Sequence, residues 1–194
     1  MKDLIVNQSE WIPIGKIPGR KSVAKGEFVR EYGNANGEIP GCYQIALTKD
    51  IDDIGDDYVH KMIGYNGMSK DVINRTGDVR APNGNHGAGR YITNKGLCRD
   101  TQVVVRYLIT ESEDKSTELE NKLHAEFEQS FGYRFGWKEA SGGVDGKMDL
   151  LISTLDYLTS EQCIEAARLC SELGKTKAVE EFEEKLEKTL YNDE

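Results

Sequence analysis

The chain has 194 residues, 38% hydrophobic and 30% charged, enough to bury one core but not two large domains. It contains no run of ~18 apolar residues, and its start, MKDLIVNQSEW, has neither a basic lead nor an apolar stretch, so a cytoplasmic protein with no membrane partner is expected. The net charge of −9 argues at first sight against a polyanionic partner, and Cys42, Cys98, Cys163 and Cys170 form no C-x-x-C pair, which speaks against structural zinc or a disulfide framework.

Residues 1–39 carry Pro13 and Pro18, several glycines and only short apolar stretches, and read as an irregular or short-stranded amino-terminal extension. Pro40 leads into GCYQIALT (41–48), a β-prone run that predicts the first strand of the core. An aspartate-rich connection (49–57) precedes YVHKMIGY (58–65), predicted as a second, antiparallel strand. That connection does not read as a calcium loop, because the twelfth position counted from Asp50 as the first is Lys61 rather than a glutamate. From Ser69, SKDVINRTGDVR offers a capping hydroxyl, an acid at Asp71 and a stop at Gly77, which predicts a short helix carrying Arg75.

A glycine-rich polar loop follows (81–96), then TQVVVRYLIT (101–110), the clearest strand in the chain. Leu119, Leu123 and Phe127 recur every four residues and predict a helix from about Ser112 to Phe131. Thr117 and Glu120 also have capping-box spacing, but the earlier start at Ser112 puts Glu120 well inside the helix. Residues 141–194 predict a linker and an acidic αα-hairpin, with Gly174 closing its first helix. SGGVDGKM (141–148) fails as a phosphate-binding loop, since Ser141 and Met148 replace the required glycine and hydroxyl.

Charge is unevenly spread: residues 61–110 hold eight basic side chains against three acidic ones, and residues 111–194 hold ten against twenty-one. Local field decides where a polyanion docks, so a basic segment in an acidic chain is compatible with DNA.

The order strand, strand, helix, strand, helix over roughly residues 40–135 resembles the GIY-YIG nuclease core. Gly41-Cys42-Tyr43 stands where that family has Gly-Ile-Tyr, and Tyr65-Asn66-Gly67 stands where it has Tyr-Ile-Gly. Ser69 takes the small-hydroxyl position, Arg75 follows Gly67 at the spacing of the family arginine, and Leu119-Glu120-Asn121-Lys122-Leu123 resembles the segment carrying the metal-ligand glutamate. The resemblance implies an α+β fold, a small three-stranded antiparallel sheet flanked by helices, over a nuclease domain at 40–140.

It further implies a Mg²⁺- or Mn²⁺-dependent endonuclease that cuts DNA phosphodiesters. Glu120 would hold the metal, Arg75 would offset charge on the scissile phosphate, and Tyr43 and Tyr65 would relay a proton and orient water or phosphate. Where many members have a histidine or tyrosine four residues after the arginine, this chain has Val79, leaving His86 or Arg80 as candidates from the adjoining loop. DNA is expected along Lys70, Arg80, Arg90 and Lys95. The hairpin is a candidate homodimer contact, with packing on the core as the alternative. The rival reading is a catalytically silent relative that binds nucleic acid or protein through the same surface.

Overall fold

A computed structural model describes residues 1–17, 23–80 and 102–131, together with three helical positions at 180, 181 and 184. These residues form an α+β fold around one antiparallel sheet. Its strands are β1 (Asn7–Gln8), β2 (Ile12–Pro13), β3 (Gly41–Thr48), β4 (Ile63–Ser69) and β5 (Gln102–Ile109). The helices are α1 (Val23–Tyr32), α2 (Val72–Arg80) and α3 (Glu113–Phe131).

β3 lies between β4 and β5, and every one of its residues is buried, as expected of a central strand covered on both faces. Alternation along the pleat then divides the side chains. Cys42 and Ala46 of β3 share one face with Val104 and Leu108 of β5, and α3 covers it with Leu119, Leu123 and Phe127. Tyr43 and its register partner Tyr107 occupy the other face. There α2 reaches Tyr107 through the Thr76 hydroxyl, 2.7 Å from the phenol oxygen, and Phe28 of α1 packs edge-on against the Tyr107 ring.

The sheet has five strands rather than the expected three. The amino-terminal segment supplies the extra two, both pairing with β5. Ser9 fastens the crossing between them: its N–H donates to the Tyr107 carbonyl at 3.0 Å and its hydroxyl accepts from the Tyr107 N–H at 2.9 Å. The same segment, read as irregular or short-stranded, also contains α1. Gly26 weakens the helical signal there, although Phe28 and Tyr32, one turn apart, pack their rings at 5.4 Å.

β4 begins at Ile63 rather than near Tyr58 and continues through Ser69. Val59 and Met62 are indeed inward-facing, but they pack on the core from the connection that precedes the strand. α2 is capped by Asp71, whose Oδ1 accepts from the Asn74 N–H at 3.0 Å, and Ser69 instead makes a turn by accepting from the Asp71 N–H. Gly77 lies inside α2 and does not end it. At α3 the Ser112 hydroxyl accepts from Lys115 N–H, and Thr117 donates back to the Glu113 carbonyl, which leaves Glu120 inside the helix. The hairpin expected after residue 141 lies outside the described residues, apart from the three helical positions.

Arg106, one of the eight basic side chains between residues 61 and 110, is not a surface charge. It is 1% exposed and sits opposite Gln44 on the α3 face. Its guanidinium donates to Gln44 Oε1 at 2.7 and 3.2 Å and to the Asp57 carbonyl at 2.6 Å, with a longer contact to the Gly55 carbonyl at 3.5 Å. Trp11 and Tyr58 lie against it, 4.5 and 5.3 Å from the guanidinium carbon to the ring centres. Burial pushes its pKa down to about 10, which leaves it charged at neutral pH.

Beside this cluster, Asn66 pairs in register with Gln44, and its buried side-chain amide has no hydrogen-bond partner on either polar atom among the described residues. A buried amide left unpaired costs about 1–3 kcal/mol, so Asn66→Val, which suits a strand, is expected to raise the melting temperature. A lower melting temperature for this variant in thermal denaturation would contradict that account.

Candidate functional site

Gly67 sets the site's geometry. It faces Tyr43 across the β3–β4 ladder, and Tyr65 lies two residues earlier on the same face. A Cβ at Gly67 would lie 2.7 Å from the Tyr43 hydroxyl oxygen and 2.8 Å from Tyr65 Cε1. With only hydrogen there, the two rings stack at 5.8 Å with an interplanar angle of 24°. The spacing of tyrosine and glycine in the two motifs is thus a packing requirement: two large rings on neighbouring strands close over a residue without a side chain.

The polar ends of these rings are linked. Tyr43 interacts electrostatically with Tyr65 and with the Arg75 guanidinium arriving from α2. Tyr65 in turn feels both Arg75 and the Glu120 carboxylate of α3. α2 and α3 lie on opposite faces of the sheet, so their charges would ordinarily be separated by it. Among the described residues β4 is an edge strand, and α3 runs against it, so Tyr65 is exposed to charge from both helices. Glu120 is partly buried, 16% exposed in its side chain, and its Oε1 lies 3.8 Å from His124 Nε2 one turn along α3.

Both phenols are held above the ordinary tyrosine range. For Tyr43 the main cause is burial, reinforced by Tyr65 and opposed by Arg75. For Tyr65 it is again burial, opposed by its bond to Tyr43 and by Arg75, while Glu120 pushes the same way as burial. Tyr107 is raised by burial as well.

A phenol whose folded pKa exceeds its unfolded value keeps a proton that the unfolded chain releases. Stability from these three groups is therefore complete below pH ~10 and is lost as pH rises beyond it. In an alkaline titration, phenolate absorbance from these tyrosines should appear only together with loss of the circular dichroism signal. Full ionisation of every tyrosine near pH 10 in a folded chain would refute this.

Tyr43, Tyr65, Arg75 and Glu120 are thus the predicted residues that come into electrostatic contact. His86, Arg90 and Lys95 lie outside the described residues. Arg80 ends α2, with its side chain outside them too. Lys70 is exposed and pairs with Glu38 at 3.1 Å, a surface ion pair that a phosphate could replace at little cost. Sequence reasoning missed His124. Its signal was present, since a histidine four residues after a helical glutamate lies on the same face.

Comparison with known proteins adds no relative to this picture: no protein-family model, no curated protein and no solved structure matches the chain.

Proposed function

We propose that this chain is a divalent-metal-dependent DNA endonuclease of the GIY-YIG type, hydrolysing phosphodiesters one strand at a time. The observation that carries the proposal is the pair of tyrosine rings stacked over Gly67, with the charges of Arg75 and Glu120 acting on Tyr65. It unites a guanidinium, two phenols and a carboxylate drawn from two strands and two helices. Residues combined in this way serve in-line attack on a phosphate, which needs positive charge for the phosphoryl oxygens, a route for a proton and an anchor for a cation.

The donor set fits a hard cation. Mg²⁺ is commonly held by one or two carboxylates while keeping most of its waters, and Glu120 offers a partly exposed carboxylate of this kind. When bound, such an ion neutralises charge on the phosphate and acidifies a coordinated water. Arg75 has five N–H donors, so beside Tyr43 it can also contact a non-bridging phosphate oxygen. Tyr43 is held neutral by burial and therefore serves in the resting protein as a fixed hydrogen-bond donor that orients Tyr65. Tyr65, on the strand that borders the sheet among the described residues, is the phenol that would orient the attacking water or the phosphate beside the ion held by Glu120.

One observation favours the silent-binder reading. Tyr43 is 1% and Tyr65 8% exposed, and burial opposes the phenolate that general-base chemistry would use. Supercoiled plasmid incubated with the protein and Mg²⁺ or Mn²⁺ separates the two. The endonuclease should give metal-dependent nicked circles, with Arg75→Ala and Glu120→Ala each reducing the rate by at least about a hundredfold. Intact plasmid together with retarded DNA in a mobility-shift assay would replace the enzyme with the binding module. Lys70, Arg80, Arg90 and Lys95 are the candidate phosphate contacts in either case.

A further inference from the structure

We propose that His124 joins Glu120 in a two-ligand cation position, and that this position selects a first-row transition ion over Mg²⁺. The inference rests on the nuclease reading for the purpose of the ion, but the binding site itself can be tested without any cleavage. Glu120 and His124 occupy one face of α3 a single turn apart, with Oε1 and Nε2 separated by 3.8 Å and side chains 16% and 20% exposed. The geometry is close to a chelate. Two ligands at about 2.1 Å in adjacent octahedral positions lie about 3.0 Å apart, so a small rotation of the glutamate closes the difference.

The chemistry of the pair sets the preference. A carboxylate alone accommodates Mg²⁺, whereas an imidazole nitrogen adds little for that ion and considerably more along the series from Mn²⁺ towards Zn²⁺. Helical residues at i and i+4 are also held in place by the backbone, so little additional ordering is needed on binding. Among the described residues no group of three or more histidine, cysteine or acidic side chains could hold a metal ion, so the position proposed is an open one of two protein ligands.

The test uses the full chain and two ions. Mn²⁺ is titrated while the signal of the free aquated ion is followed by electron paramagnetic resonance, with Mg²⁺ as competitor. Wild type should bind Mn²⁺ at least about tenfold more tightly than His124→Asn, while Mg²⁺ affinity should be similar in both. Zn²⁺ added to wild type carrying ¹⁵N-labelled histidine should move the His124 Nε2 resonance into the metal-ligated range. This second readout holds even if His124→Asn folds poorly.

Equal Mn²⁺ affinity in a folded His124→Asn, or an unmoved Nε2 resonance, overturns the two-ligand position. If that happens while Mg²⁺ still supports plasmid nicking, the nuclease reading survives alone. If the ligation is seen but plasmid is never cut, the cation position stands and the nuclease reading falls.

Discussion

Arg106→Ala should destabilise the protein by about 3–5 kcal/mol, the combined cost of stripping donors from buried acceptors and opening a cavity. In a chain of this size that corresponds to a fall in melting temperature of roughly 10 °C. The reason is what the substitution leaves behind. Gln44 Oε1 and the Asp57 carbonyl lose their close donors, and the Gly55 carbonyl loses the longer one. Trp11 and Tyr58 lose the cation lying against their rings, and the deleted side chain leaves a void between sheet and loop.

Arg106→Met should cost less than Arg106→Ala, because it restores volume without restoring the donors. Thermal and urea melts of the two variants check both the size and the order. An Arg106→Ala protein melting within a degree or two of wild type would show that the cluster contributes little. Plasmid cleavage is the useful second measurement, since Arg106 lies on the α3 face, away from the ring of Tyr43.

The second large effect is expected at Gly67. Gly67→Ala places a methyl group 2.7 Å from the Tyr43 oxygen, 2.8 Å from its Cζ and 2.8 Å from Tyr65 Cε1. None of these atoms is the end of a flexible side chain free to swing away. Tyr43 is stacked on Tyr65, and its ring is fully enclosed. Overpacking of this kind costs about 1–3 kcal/mol.

The effect on chemistry should exceed the effect on folding. Displacing the two phenols by even about 1 Å is enough for a hundredfold loss of rate. The expected outcome is therefore a folded protein, modestly less stable, whose metal-dependent nicking is reduced by about two orders of magnitude. Normal cleavage by a folded Gly67→Ala would mean that the stacked tyrosines are a packing device and not part of the reaction.

Much of the arrangement was legible from residue pattern. The strand at 41–48 and the stripe Leu119, Leu123, Phe127 were visible because central strands and amphipathic helices leave dense, periodic signals. The strand after the acidic connection was placed too early because Val59 and Met62 are inward-facing without being in a strand. The helix at Val23–Tyr32 escaped notice because Gly26 dilutes its propensity and its packing partner, Tyr107, lies far along the chain.

Arg106 is the more instructive misreading. By charge alone it counted toward a basic surface, yet QVVVRYLI surrounds it with β-branched and aromatic residues on both pleat faces. An arginine in the middle of such a strand has to be buried together with its partners. Those partners are a glutamine on the next strand and backbone carbonyls of a loop, which carry no sequence signal of their own. The influence of both Arg75 and Glu120 on Tyr65 has no sequence signal of its own either: the two residues come from helices on opposite faces of the sheet, each packed on β4.

The clasp formed by Trp11 and Ser9 also bears on how the molecule opens. Trp11 donates its indole N–H to the Gly55 carbonyl at 3.0 Å and stacks on Arg106, while Ser9 is bonded twice to Tyr107 in β5. A leading segment sewn this way into the middle of the molecule cannot fray independently. Its amide protons should exchange with solvent only when the entire sheet comes apart, and a protease should find no foothold there before then.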